Sequence, residues 1–375
     1  MTISDLIPEY IRALGAYVPG KPIRQVEEES GVKAIKLASN ENPFGPSVLA
    51  LNAMRKAVSQ VNFYPDNDCR ELRQRLAKQY FLQPESLLVC AGTSALLQML
   101  ASVLLRPGLN AITSERTFIV YPIATRQAGA EYRQVPMKND AYDLEGILAA
   151  IDENTRLVFV ANPNNPTGTL IPPAELDHFI ERLPDHLILA LDEAYYDFAD
   201  YFAVTRRMER SHALEYVRQE RKVVVLRTFS KALGLAGLRV GYGMGPAELM
   251  GYLGRVKPPF MVSSVAEAAA LAGLDDAAHF EKTVRNNFEQ AEWMLEKLRG
   301  LGYKPVETFA NFIYCEVGED ASGVGKRMQA EGVIIRPLTG SWGAPTAIRV
   351  TIGAPEENQR FLAAFKKVMS KAAVR

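Results

Sequence analysis

Four short stretches of this chain are almost purely apolar, and each halts at a cluster of turn-forming or reactive side chains. Leu87 to Ala91 breaks at Gly92-Thr-Ser94, and Leu157 to Ala161 ends at Asn162-Pro-Asn-Asn-Pro-Thr-Gly168. Leu187 to Leu191 ends at Asp192-Glu-Ala-Tyr195, and Val223 to Leu226 at Arg227-Thr-Phe-Ser-Lys231. Apolar runs without alternation suit strands covered on both faces, which belong to parallel sheets flanked by helices. Helical spacing lies beside them: Leu96, Leu97, Leu100, Val103 and Leu104 repeat up to Pro107-Gly108. Upstream, Leu72, Leu76 and Tyr80 follow Asp68-Cys-Arg-Glu71, which reads as a capping box. The repetition of strand, turn and helix predicts an α/β fold with a mainly parallel sheet. Ligands of such sheets sit beyond the carboxyl ends of the strands, so the four ends are expected to converge on one site.

After about residue 255 the pattern changes. A helix through Glu281 to Leu298 leads to strands near Asn311 to Val317 and Ala347 to Gly353, and a last helix starts near Pro355. Three parts are expected: an N-terminal arm, 1–40, that joins a small domain; a large domain, 41–258; and the small α+β domain itself, 259–375. The 48% hydrophobic content supplies ample core, and 43 Lys+Arg against 43 Asp+Glu leave no net charge to attract a nucleic acid or an anionic membrane. Three scattered cysteines and four histidines show no disulfide or metal spacing, so no metal is expected. Without a basic start, an apolar leader or a run of about 18 apolar residues, the chain reads as cytoplasmic, with small-molecule partners.

The strand ends carry the candidate chemistry. Lys231, among small and apolar neighbours, could be partly desolvated, which would free a neutral amine to form a Schiff base with a carbonyl; taken alone, a snorkelling surface lysine is the stronger reading. Thr93, Ser94, Thr228, Ser230 and Arg239 together offer hydroxyls, a helix start and a guanidinium for one phosphate. Asp192 and Glu193 are adjacent in an extended segment and point to opposite faces, so only one carboxylate serves a site there. Arg349 alternates with Ile348, Val350 and Ile352, which puts it on the polar face of a strand, either solvated or waiting for a carboxylate.

Taken with these residues, the chain resembles the fold-type I pyridoxal-phosphate aminotransferases along nearly its whole length. The likeness rests on Leu37-Ala-Ser-Asn-Glu-Asn-Pro-Phe-Gly-Pro46, Tyr64-Pro-Asp66, Ala161 to Gly168, Asp192 to Tyr195, Ser230-Lys231 with Ala236-Gly-Leu-Arg239, and Ile348-Arg349. The Asn-Glu-Asn-Pro start, Tyr-Pro-Asp, and Arg336-Pro337 thirteen residues before Arg349 are most similar to the histidinol-phosphate aminotransferase branch. The resemblance implies an aspartate-aminotransferase-like large domain and pyridoxal 5'-phosphate as cofactor. It also implies transamination between L-histidinol phosphate and 2-oxoglutarate, giving imidazole acetol phosphate and L-glutamate in histidine biosynthesis.

It further implies that Lys231 holds the cofactor and shuttles a proton, and that Asp192 keeps the ring nitrogen protonated. Asn165 and Tyr195 would bond the ring's 3-oxygen, Phe118 would stack on its face, and Thr93, Ser94, Thr228, Ser230 and Arg239 would hold its phosphate. Tyr64 would come from the neighbouring subunit of an obligate homodimer. Arg349 would clamp the substrate carboxylate, Arg336 the substrate phosphate, and Asn42 and Tyr17 would also meet substrate. Two departures stand out: Gly92-Thr-Ser-Ala95 lacks the acidic residue common in relatives, and Phe118 replaces a frequent Tyr. Trp342 puts an aromatic surface near both arginines in sequence, which keeps an aromatic amino-acid aminotransferase open as the alternative. A phospho-amino-acid decarboxylase shares much of the pattern, and a ligand-sensing regulator is disfavoured because nothing basic or helix-turn-helix-like precedes residue 40.

Overall fold

The computed structural model describes residues 1–15 and 20–370. Strand β1 (Ile35–Lys36) lies in the N-terminal arm. Strands β2 (Leu87–Cys90), β3 (Asn110–Ser114), β4 (Glu131–Val135), β5 (Thr155–Ala161), β6 (Ile188–Asp192), β7 (Val223–Thr228) and β8 (Gly241–Met244) form one seven-stranded sheet. Its order is β2-β8-β7-β6-β5-β3-β4. Pairs β3–β4, β3–β5, β5–β6 and β6–β7 are parallel, while β8 runs antiparallel to both β7 and β2. Strand β2 therefore runs with the other parallel strands, and all four expected strand ends point the same way.

Burial explains why these runs carry no polar alternation. Along β5, Val158 and Val160 enter one core cluster with Leu189, Leu191 and Val225. Leu157, Phe159 and Ala161 enter another, with Ala190, Val224 and Leu226, on the opposite face. Both faces are thus dry, as helices covering a parallel sheet demand.

Strands β9 (Phe312–Glu316), β10 (Val333–Ile334), β11 (Arg336–Pro337) and β12 (Ala347–Thr351) follow. An antiparallel sheet of order β11-β12-β9 packs with the helices Ala277–Gly300 and Pro355–Ser370 around a third core that includes Ile348, Val350 and Ile352. Parallel pairing of β1 with β10 ties the arm to this unit, and Leu37 enters its core. The helix Ser264–Leu274 falls within the segment expected as the small domain, yet its Ala266, Ala269 and Ala270 pack into the core of the large sheet.

One local expectation changes. The helix Arg70–Tyr80 buries Leu72 and Leu76, but the Asp68–Glu71 box does not cap it; Cys69 stands at the N-cap with no side-chain bond. Asp66 does the capping work instead: Oδ1 accepts from the N–H of Asp68 at 3.1 Å, and Oδ2 from that of Arg70 at 3.3 Å. A left-handed backbone at Cys69 (φ 45°) shifts the start of the helix, which moves the acceptor two residues upstream.

Candidate active site

The carboxyl ends of β2, β5, β6 and β7 and the polar face of β12 enclose a cavity of about 280 Å³. Its wall contains Thr93, Ser94, Phe118, Asn165, Asp192, Tyr195, Thr228, Ser230, Lys231, Arg239, Arg336 and Arg349, twelve of the expected residues. Lys231 Nζ donates to the carbonyls of Ser39 (3.2 Å) and Asn40 (3.1 Å). Burial, and after it the charge of Arg349, lower the ammonium from 10.5 to about 7. The lysine is thus poised between its protonated and nucleophilic forms near neutrality.

Asp192 is buried at the end of β6, and burial raises its carboxyl to about 6 against two hydrogen bonds that lower it. Tyr121 Oη donates to Oδ2 at 3.0 Å, and the N–H of Ala194 to Oδ1 at 3.1 Å. Its neighbour Glu193 points away, into a buried pair with Arg227 (2.9 and 2.7 Å). The alternation expected of adjacent acids in a strand therefore separates a carboxylate for the site from one for the scaffold.

At the other end, Gly92 caps the helix Thr93–Leu104 with φ 83°, which presents that helix start to the cavity. A Cβ at Gly92 would stand 2.5 Å from Arg239 Nη2, so glycine is what lets the guanidinium lie against the turn. Arg239 Nη1 donates to Ser230 Oγ (3.3 Å) and the Ala236 carbonyl (3.0 Å), and the Ser230 N–H donates to Thr228 Oγ1 (3.1 Å). The missing acidic residue of Gly92-Thr-Ser-Ala95 leaves the helix start and the four hydroxyls in place, and the cradle fits a phosphate.

Asn165 lies within a turn whose Asn162–Pro163 and Asn165–Pro166 bonds are both cis. Its Nδ2 donates to Tyr195 Oη at 3.3 Å and its Oδ1 accepts from Arg349 Nη1 at 2.6 Å. Arg349 is buried, donates through Nη2 to the Ala38 carbonyl (2.7 Å), and lies over the rings of Phe312 (5.4 Å) and Trp342 (5.5 Å). Arg336 is its register partner across β11 and β12 and lines the same cavity. Arg336 Nε is buried without a hydrogen-bond partner among the described residues. Two guanidiniums lining one cavity suit a phosphate dianion or a carboxylate.

Two expected residues sit elsewhere. Asn42 is engaged in structure: Nδ2 donates to the Ala232 carbonyl (2.9 Å) and Thr283 Oγ1 (3.2 Å), and Oδ1 accepts from the Phe44 N–H (2.9 Å). Tyr64 is 82% exposed, stacked on Phe260 at 4.7 Å and away from the cavity. Tyr17 lies outside the described residues. The sequence reading passed over Asn40, which at φ 57° donates to Tyr195 Oη (3.0 Å), accepts from Lys231 and Asn311, and bonds Thr351. It also passed over Tyr121, whose only available signal was its place three residues after Phe118 in a helical stretch.

The chain belongs to the aminotransferase class I and II family, whose model matches residues 32–365. Within it, the chain is 40% identical to the histidinol-phosphate aminotransferase of Akkermansia muciniphila, over 98% of this chain and 100% of that one. It superposes with a TM-score of 0.88 on the histidinol-phosphate aminotransferase of Sinorhizobium meliloti solved in complex with pyridoxal 5'-phosphate, at 27% identity and with 98% of each chain covered. A Thermus thermophilus aspartate aminotransferase, at 24% identity, TM-score 0.81 and coverage of 96% and 99%, shares the fold.

Proposed function

We propose that this chain is a histidinol-phosphate aminotransferase, exchanging the amino group of L-histidinol phosphate with 2-oxoglutarate on pyridoxal 5'-phosphate. The observation that carries the reading is the Arg336/Arg349 pair on the wall that also holds Lys231. When bound, the cofactor supplies a reactive carbonyl and an electron sink. Thr93, Ser94, Thr228, Ser230 and Arg239 would hold its phosphate, Phe118 would cover the ring, and Asn165 and Tyr195 would meet the ring oxygen. Asp192 presents a carboxylate to the protonated ring nitrogen. Lys231 Nζ takes the proton from the substrate Cα, a role that its fall to about 7 suits. Arg336 binds the substrate phosphate, and Arg349, in cation–π contact with Phe312 and Trp342, orients the acid partner's carboxylate.

The active unit in this reading is a cytoplasmic homodimer. Tyr64 is exposed beside Phe63, Val61, Val58 and Phe260, an apolar surface suited to a second copy, whose cavity Tyr64 then enters. Sedimentation as a monomer would exclude that arrangement. Reducing surroundings agree with three buried free thiols, Cys69, Cys90 and Cys315. The arm and the small domain close one side of the site through Asn40, Arg336 and Arg349.

Turnover with 2-oxoglutarate as acceptor tests the substrate. Histidinol phosphate is expected to exceed phenylalanine and tyrosine about 100-fold in kcat/KM, and Arg336→Met to lose most of that, chiefly through KM, as removal of a charged bidentate partner does. Trp342 on the cavity wall favours the aromatic alternative, and a preference of more than about tenfold for an aromatic amino acid, some 1.4 kcal/mol, would establish it instead.

A further inference from the structure

Tyr121 touches no open part of the cavity, yet it is bonded to the group that matters most beneath it. Its ring is fully buried, stacked on Phe159 (centroids 4.7 Å, planes 6° apart) and edge-on to Phe118 (5.7 Å, 85°). A phenylalanine would fill the same space. The hydroxyl is therefore the part that needs explaining, because a buried O–H is costly unless it meets an acceptor. Its acceptor is Asp192 Oδ2 at 3.0 Å, while the Ala194 N–H holds Oδ1.

We propose that Tyr121 is a positioning residue: by donating to Asp192 Oδ2 it keeps that carboxylate ionised and oriented for the protonated ring nitrogen of pyridoxal 5'-phosphate. The inference rests on the function proposed above and extends it to a residue that does not contact the cofactor. Two N–H or O–H donors on one carboxylate favour its charged form. Tyr121 is a fixed donor, since burial and the Asp192 charge hold its own ionisation well above 10. Other groups act on Asp192 as well: Lys231 favours its charge and Glu193 opposes it, while the buried hydroxyls of Tyr142 and Tyr195 sense it. Of the tyrosines, Tyr121 alone has a direct bond to it among the described residues. The bond also links the Asp192 carboxylate to the Phe118 wall, because one ring braces both.

The sign of the effect follows from Asp192. Its carboxyl stands at about 6, so the carboxylate is available above that pH and is lost as the pH falls through it. Without the Tyr121 donor the value rises further. Cofactor affinity, measured by titrating the cofactor-free full-length protein with pyridoxal 5'-phosphate across pH 5 to 8.5, is expected to fall off on the acid side about one pH unit earlier in Tyr121→Phe than in the unaltered protein. At pH 7 the variant should bind the cofactor about twofold more weakly, and at pH 5 roughly tenfold. The phosphate of the cofactor titrates alike in both proteins and cancels in the comparison. Phe159→Leu, which loosens the stack but keeps the hydroxyl, should leave the midpoint in place. Superimposable profiles for Tyr121→Phe and the unaltered protein would overturn the role of Tyr121 while leaving the function intact. An equal shift in Phe159→Leu would overturn it too, by assigning the effect to packing. Failure of the unaltered protein to bind the cofactor at any pH would overturn the functional reading and this inference together.

Discussion

At the residue scale, the chemistry rests on how burial moves two ordinary side chains in opposite directions. Burial lowers the Lys231 ammonium and raises the Asp192 carboxyl, because it penalises whichever form is charged. The Arg349 charge is the second influence on Lys231, so the arginine proposed to face substrate also tunes the amine. For a depressed base, the neutral amine is abundant above the folded value and disappears as pH falls through it. Covalent capture of pyridoxal 5'-phosphate by the cofactor-free protein, followed by stopped-flow absorbance, should quicken up to about pH 7 and then level off. In Arg349→Met the plateau should move to higher pH. A rate still climbing through pH 9 would mean that Lys231 keeps its ordinary value. Much at this scale was legible in the sequence. Alternation alone separated Asp192 from Glu193 and put Arg349 opposite the apolar face of its strand. Asn40 and Tyr121 were not legible, because their partners Tyr195 and Asp192 lie 155 and 71 residues away.

At the scale of elements, the site is built by strands that stop on time and by turns that only glycine fits. Strands β2, β5, β6 and β7 could be read from their apolar runs because both of their faces are dry. Strand β4, Glu131 to Val135, escaped because it is an edge strand with polar, half-exposed positions. Strand β8, Gly-Tyr-Gly-Met, escaped because glycine is a poor strand signal; at Gly243 a Cβ would stand 2.2 Å from Leu96 Cδ2, so a larger residue there requires the Leu96 side chain to shift. The loop behind Lys231 is as constrained. Gly234 has φ 69°, and a Cβ there would stand 2.2 Å from the Gly45 carbonyl oxygen, a backbone atom that cannot swing aside. Gly234→Ala should destabilise the protein by at least about 2 kcal/mol and lower its melting temperature by several degrees. Gly237→Ala, three residues on with nothing within 4 Å, should be close to neutral in the same calorimetric scan. Equal melting temperatures for the two variants would contradict the close approach seen at Gly234.

At the scale of the whole molecule, the site exists only because distant segments are brought together. Ser39 and Asn40 of the arm, the ends of the large sheet, and Arg336 and Arg349 of the antiparallel sheet share one cavity wall. The fold class and the convergence of strand ends followed from the pattern of apolar runs. The strand order, with β8 inserted antiparallel between β2 and β7, did not, since no local signal encodes which strands pair. Nor did the membership of the helix Ser264–Leu274, whose alanine-rich face is apolar enough for either unit and is decided by its packing in the large core. What unites these scales is one amine at the end of β7, held within reach of a phosphate cradle and a buried acid. Borohydride reduction of the protein loaded with pyridoxal 5'-phosphate, followed by mass mapping of its peptides, tests this most directly. A pyridoxyl group on the peptide carrying Lys231, and on no other lysine, is the expected result; a label elsewhere, or none at all, would contradict it.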